Sequence, residues 1–259
     1  MFHFRTSLRA EILKGKNSFA FWLAAVGTTC VLVVLWMLQL FGHAVVPTSE
    51  SPWRAWIDAF YAGTDFILLP LFVIIIASLV AYQEHAGAMW KHLYALGVSR
   101  WDLYVSKLVY IALLFAAAHL YFIMGMLVAG LLTGLVRPES GLLHAWPDFG
   151  QVFALGFKTV VSMLGLLAIQ YWISIRFRSF VVALGAGVIG FVAATLLAKS
   201  SALVLYFPYA YPLLYTRVYR GEFSALQWGP VSTVELLSLL YFAVFTVLGY
   251  WDVRRLDVR

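Results

Sequence analysis

The chain has 259 residues, 63% of them hydrophobic and only 12% charged, with a net charge of +6. Soluble domains run near ~45–50% apolar and ~25% charged. A soluble surface could not hide this excess, so much of it must face lipid. The cations lie between hydrophobic runs rather than in one basic stripe, which reads as topology and argues against a nucleic-acid partner.

Residues 1–18 carry Phe4, Leu8 and Ile12 at helical spacing, with Arg5, Arg9, Glu11, Lys14 and Lys16 around the rest of the turn. The pattern predicts an amphipathic helix in the inner membrane interface. A charged tail that only sets topology has the same composition. The apolar run 19–41 follows; it exceeds a signal-peptide core and no small-x-small cleavage pattern comes after it, so it reads as a permanent helix. The single cysteine, Cys30, lies inside this run, which excludes an intrachain disulfide and fits a small buried hydrophobe.

Five more runs approach the roughly 20 apolar residues that a spanning helix needs: 60–82, 108–135, 152–175, 180–197 and 231–251. None alternates at period two, so helices are expected and a barrel is not. The expected fold is therefore all-α, a single polytopic domain over residues 1–259 with about six spans. If the N-terminus is cytoplasmic, the inner segments 1–18, 83–107, 176–179 and 252–259 hold twelve cations, against five in the longer outer segments. The positive-inside rule then places both termini in the cytoplasm.

The cytoplasmic segment 83–107 is too polar to span and too patterned for a plain loop. Met89, Leu93 and Leu96 predict a short amphipathic helix over 85–96. Gly97 suits a helix C-terminus, and Ser99 with Asp102 three residues on reads as the cap of the next helix. Arg100 and Lys107 mark the return to the headgroups. This element either transmits force from a cytoplasmic partner into two spans or simply rests on the bilayer. The outer segment 198–230 contains LVLYFPYAYPLLY, broken by Pro208 and Pro212 and rich in aromatics such as Tyr209 and Tyr211. It reads as re-entrant or interfacial helices, or as a loop on the headgroups.

Catalytic signatures are missing from the sequence. It has no G-x-x-x-x-G-K-[ST] phosphate loop, no paired H-x-x-x-H or H-E-x-x-H among its six histidines, and no G-x-S-x-G elbow. No enzyme activity, metal or cofactor is expected in this chain. Asp65, Lys158 and Glu235 sit near the outer span ends, where interfacial solvation accounts for them. Gly185, Gly187 and Gly190 in the fifth run predict close helix packing, which extends to a dimer seam as one reading.

The layout resembles the ABC-2 class of ABC-transporter permeases, in which a cytoplasmic interfacial helix precedes six spans. That class also has a coupling helix between spans two and three and short re-entrant helices between five and six. The wording resembles it too, in Glu84, Gly87, Lys91, Leu96, Gly97, Val98, Ser99, Arg100 and Lys107, with Gly97 where a proline is frequent. The resemblance implies a small exporter permease of the bacterial plasma membrane, similar to those of peptide, bacteriocin-immunity and drug exporters. Two permease copies, or one with a homologous permease, would form the pathway. A separate cytoplasmic ATP-binding-cassette ATPase would bring ATP and Mg and dock at Glu84–Arg100. A charge-poor interior suits an amphipathic or hydrophobic cargo, with Phe72, Phe115, Tyr121, Phe122 and Trp172 as candidate lining positions; each also reads as packing bulk or lipid-facing surface. The alternative from another class is a non-transporting membrane scaffold that docks a partner through the same loop.

Overall fold

A computed structural model describes residues 2–42, 51–65, 67–86, 99–177, 179–198, 202–219, 227–228 and 231–255. The protein is an all-α polytopic membrane protein. Helix α1 covers Phe2–Gly15. Asn17 then takes a left-handed conformation (φ 69°), which an Asn tolerates better than most residues. Ser18 opens α2, Phe19–Phe41, by accepting the Phe21 N–H at 3.2 Å. Within α2 the residues Leu23–Gly27 form a π-helical turn.

Helix α3, Pro52–Asp65, lies where the sequence reading had a loop and the start of the second span. Its start signals are a Ser51 hydroxyl accepting the Arg54 N–H at 3.2 Å and a proline at the first helical position. Helix α4, Leu68–Ala86, follows. The expected span 60–82 is thus divided between two helices. Pro70 supplies the reason, because it has no N–H to reach the carbonyl four residues earlier and is tolerated only in a first turn. The remaining helices are α5, Arg100–Val136, α6, Phe149–Arg176, α7, Phe180–Leu197, α8, Tyr211–Tyr219, and α9, Thr233–Arg255. Five of them, α2, α5, α6, α7 and α9, are long and apolar enough to cross a membrane. The apolar stretch of α4, Leu68–Glu84, is shorter. A two-residue antiparallel ladder, β1 (Gln227–Trp228) with β2 (Val231–Ser232), precedes α9.

Ser232 and Glu235 correct the reading of Glu235 as a solvated end charge. The carboxylate accepts the Ser232 N–H at 2.6 Å while the Ser232 hydroxyl accepts the Glu235 N–H at 3.3 Å. This reciprocal capping box holds Glu235 buried at the start of α9.

Helix α6 is the centre of the bundle, packed against α9, α4 and α5. Ser238 of α9 clips the first of these contacts. Its hydroxyl donates to the Val161 carbonyl at 2.8 Å and accepts the Gly165 N–H at 2.9 Å. A side-chain carbon on Gly165 would lie 3.0 Å from the Ser238 carbonyl oxygen, tighter than most such contacts, so glycine favours this close approach. Ser238→Ala is expected to cost about 1 kcal/mol, read as a lower unfolding temperature in detergent, by leaving the Gly165 and Val161 groups without their bridge.

A second polar knot joins four elements. Gln170 of α6 is fully buried; its amide nitrogen donates to Ser78 Oγ of α4 at 3.0 Å and to the Ala183 carbonyl of α7 at 2.9 Å. Its amide oxygen accepts the Tyr209 hydroxyl at 3.1 Å. Ser174 Oγ lies 3.3 Å from Ser78 Oγ and donates to the Gln170 carbonyl at 2.6 Å. In the fifth run, Gly187 packs inside this chain, where a side-chain carbon would meet Ile74 at 2.5 Å, and Gly190 faces the Tyr209 ring at 2.9 Å. Only Gly185 of the three faces open space.

Candidate functional site

The flanks of segment 83–107 converge on α1. Residues 87–98, and with them Gly87, Lys91, Leu96, Gly97 and the helix expected over 85–96, lie outside the described residues. Glu84 near the end of α4, Lys107 in the second turn of α5, and Glu11 and Lys14 of α1 form one cluster. The Lys107 ammonium binds Glu11 Oε2 and reaches Glu84 Oε1 at 2.9 Å. Lys14 lies 3.3 Å from Glu11 Oε1 and 3.3 Å from Glu84 Oε1. Lys107 and Glu84 are each 2% exposed and Glu11 is 4% exposed. Two carboxylates and two ammoniums balance one another, the condition under which buried charge is tolerated.

Two groups of the cluster are held in their charged forms. Burial pushes the Glu84 carboxyl up, but Lys107 and Lys14 outweigh it and hold the group below its ordinary 4.5. Burial likewise lowers Lys14, and Glu11 and Glu84 outweigh that, so it sits above its ordinary 10.5. Glu84 Oε2 has no partner among the described residues.

The sequence reading placed Lys107 at the headgroups and did not join it to Glu11. The packing of α1 also differs from the expected Phe4–Leu8–Ile12 stripe. Ser7, Glu11 and Gly15 are the buried positions, with Phe4 and Leu8 partly covered, whereas Ile12 and Leu13 are exposed. Glu11 turns inward because its counter-charge is there. Gly15 completes the contact, since the Tyr110 hydroxyl of α5 occupies the place of a side chain.

Other contacts gather at the same end of the bundle. Ser99 caps α5 by accepting the Asp102 N–H at 3.4 Å, as its spacing predicts. Exposed Arg100 donates to the Arg254 carbonyl at 3.1 Å. Arg176 lies 3.5 Å from Asp252, which also accepts from Trp172 Nε1 at 3.2 Å. The starts or ends of α1, α4, α5, α6 and α9 thus share one face.

The five candidate lining residues divide. Phe72, Phe115 and Phe122 meet on one cavity of about 240 Å³ between α2, α4 and α5. Tyr121 points away and its hydroxyl lies 3.0 Å from Thr29 Oγ1. Trp172 is at the charged end, packed on Phe245 at 5.5 Å between ring centres. In the outer segment Pro208, Tyr209, Tyr211 and Pro212 are all buried, within a 3₁₀ turn and the first turn of α8.

A model of the ABC-2 family transporter proteins matches residues 7–194. The chain belongs to the ABC-2 transporter family. No match is found among curated proteins. The match to the ABC-2 family takes in α1 from Ser7, both flanks of segment 83–107 and all four members of the charge cluster. Membership marks the chain as a permease of an ABC transporter, a transport subunit that works with an ABC ATPase, and as a multi-pass membrane protein. In this ABC-2 permease, Gln170 is a residue the sequence reading passed over; it placed Glu11 on the charged face of residues 1–18 and weighed His119 only as a metal ligand, giving neither a buried role. For Gln170 and His119 the available signal was a lone polar side chain within an apolar stretch; Glu11, among the cations of residues 1–18, carried no such signal.

Proposed function

We propose that this chain is the permease subunit of an ATP-driven exporter, moving an amphipathic or hydrophobic substrate out of the cytoplasm or inner leaflet. It works as a pair, with a second copy or a homologous permease, in a bacterial plasma membrane with both termini cytoplasmic. The separate ATPase binds ATP and Mg and docks on segment 83–107. Closure of the ATPase pair pushes that segment, the spans rearrange, and cargo leaves past Pro208–Pro212.

The observation that supports this reading is the charge cluster. It locks the two ends of the segment, Glu84 and Lys107, to α1, so a push on the segment reaches α1, α4 and α5 together. Buried Glu84 acts from beneath the contact, and Ser99 and Arg100 lie on the exposed surface beside it, where Arg100 also holds the Arg254 carbonyl of α9.

Copurification from native membranes in mild detergent tests the reading, and a stoichiometric P-loop ATPase is the expected companion. In the reconstituted complex, Arg100→Glu is expected to lower substrate-stimulated ATP turnover about tenfold, the loss of one charged contact worth ~1.4 kcal/mol. No ATPase under conditions that preserve other such complexes, or no substrate stimulation, would move the assignment to a scaffold.

A further inference from the structure

The cavity between α2, α4 and α5 has features that packing alone does not require. It forms where two helices depart from regularity. Gly27 ends the π-helical turn of α2, and π turns recur at functional sites because they re-aim a short stretch of helix. Thr64 and Leu68 stand on either side of the break between α3 and α4. Phe72, Phe115 and Phe122 line its wall.

Three polar residues sit in this largely apolar wall, Thr28, Thr64 and His119; the Thr64 hydroxyl is taken up by the Phe60 and Tyr61 carbonyls. His119 is 3% exposed and lines the cavity. Its Nε2 lies 3.3 Å from the Tyr61 hydroxyl and faces Gly156 of α6. Its ring is stacked between Phe115 and Phe122, at 6.1 and 6.0 Å between centres. Its Nδ1 has no partner among the described residues. An unmade hydrogen bond at a buried site costs about 1–3 kcal/mol, and at hydrocarbon depth no water is at hand to supply it.

We propose that this cavity binds an uncharged amphipath, an alkyl chain or small ring carrying one hydroxyl, carbonyl or amide that bonds His119 Nδ1. The charge follows from the walls, since none of the lining residues is acidic or a lysine or arginine and a buried ion would stay uncompensated. The size follows from the volume. About 240 Å³ falls just below the ~300–1,000 Å³ of sites for drug-sized ligands, so one chain or ring enters and a whole phospholipid does not. The polar group follows from His119, because a plain saturated acyl tail would fill the space and leave Nδ1 unsatisfied. The inference deepens the exporter reading by naming a ligand class, but binding itself requires only that the chain sit in a bilayer.

The test uses the full chain in lipid nanodiscs, without ATPase or nucleotide. Two photoreactive probes are compared, a diazirine-bearing decanol and the matching decane. Decanol is expected to label the Thr28–Val31 and Phe115–Phe122 peptides roughly five- to tenfold more than decane, the worth of one hydrogen bond. His119→Phe is expected to bring decanol down to the decane level while decane labelling persists, which shows the cavity still formed. Gly27→Leu guards against a folding failure of that variant. A side-chain carbon there meets nothing closer than 3.7 Å, and the added bulk at the wall should diminish labelling by both probes. Equal labelling by decanol and decane in the unmodified protein, or decanol labelling unchanged in Gly27→Leu, would overturn the site. In complex with an ATPase, decanol that raises ATP turnover identifies cargo, and decanol that binds without effect identifies a resident lipid; either supports the site. Failure to find any ATPase would defeat the exporter reading and leave the probe ratio readable.

Discussion

Replacing Lys107 by methionine is expected to destabilise the protein by about 3–5 kcal/mol, because it leaves Glu11 and Glu84 buried with only the half-covered Lys14 between them. The measurement is thermal unfolding in detergent, alongside the triple variant Lys107→Met, Glu11→Gln, Glu84→Gln. That variant removes the charges together and is expected to recover most of the loss, since a neutral replacement of a buried ion group is often neutral in stability. A loss below about 1 kcal/mol for the single change would show the cluster to be solvated. The pH dependence has a definite sign at both ends. Glu84 is held below its ordinary 4.5, so its contribution is fully present above that pH and is lost as pH falls through the lowered value. Lys14 is held above its ordinary 10.5, so its contribution is present below that pH and is lost as pH rises through the raised value. Between these limits the contributions of Glu84 and Lys14 are expected to be insensitive to pH.

Gln170→Leu is the second large effect, about 2–4 kcal/mol. The side chain is completely buried and serves three other elements at once: Ser78 of α4, the Ala183 carbonyl of α7 and Tyr209 of the outer segment. Interhelical hydrogen bonds within membranes average only about 0.6 kcal/mol each, but here one substitution strands several buried groups. Tyr209→Phe removes a single bond and should cost about 1 kcal/mol. The double variant should fall short of the sum, since both changes delete the same contact. Strict additivity in the unfolding temperatures would show that Tyr209 and Gln170 do not share a bond.

These two sites also show where sequence reading succeeds and where it stops. Spans are legible because a long apolar run has few alternatives in lipid, and the run 180–197 coincides with α7. The Ser99 cap was legible for the same local reason. The division of the second span was missed because a hydropathy window averages across the break before Pro70. Its signals were present in Ser51–Pro52 and in the repeat of Trp53, Trp56, Ile57, Phe60 and Tyr61, which form the buried face of α3. The Ser232–Glu235 box was equally readable. The meeting of Glu11, Glu84 and Lys107 was not, since nothing local in a sequence says which charges 23 and 96 residues apart will pair. The same holds for the gathering of Phe72, Phe115 and Phe122 around His119, which depends on how α2, α4 and α5 pack.

Helix α5 carries one further consequence. Its 37 residues extend about 55 Å, and the apolar part over 108–135 alone is about 42 Å long, against a hydrocarbon layer of about 30 Å. A rod that is too long for its slab is accommodated by leaning or by a local thickening of the bilayer. In a thicker bilayer the same helix stands more upright and its first turns, which hold Lys107, swing relative to the membrane plane. The thickness of the host bilayer therefore acts on the same lock that the charge cluster closes, so lipid composition belongs among the forces that set the resting pose of this protein.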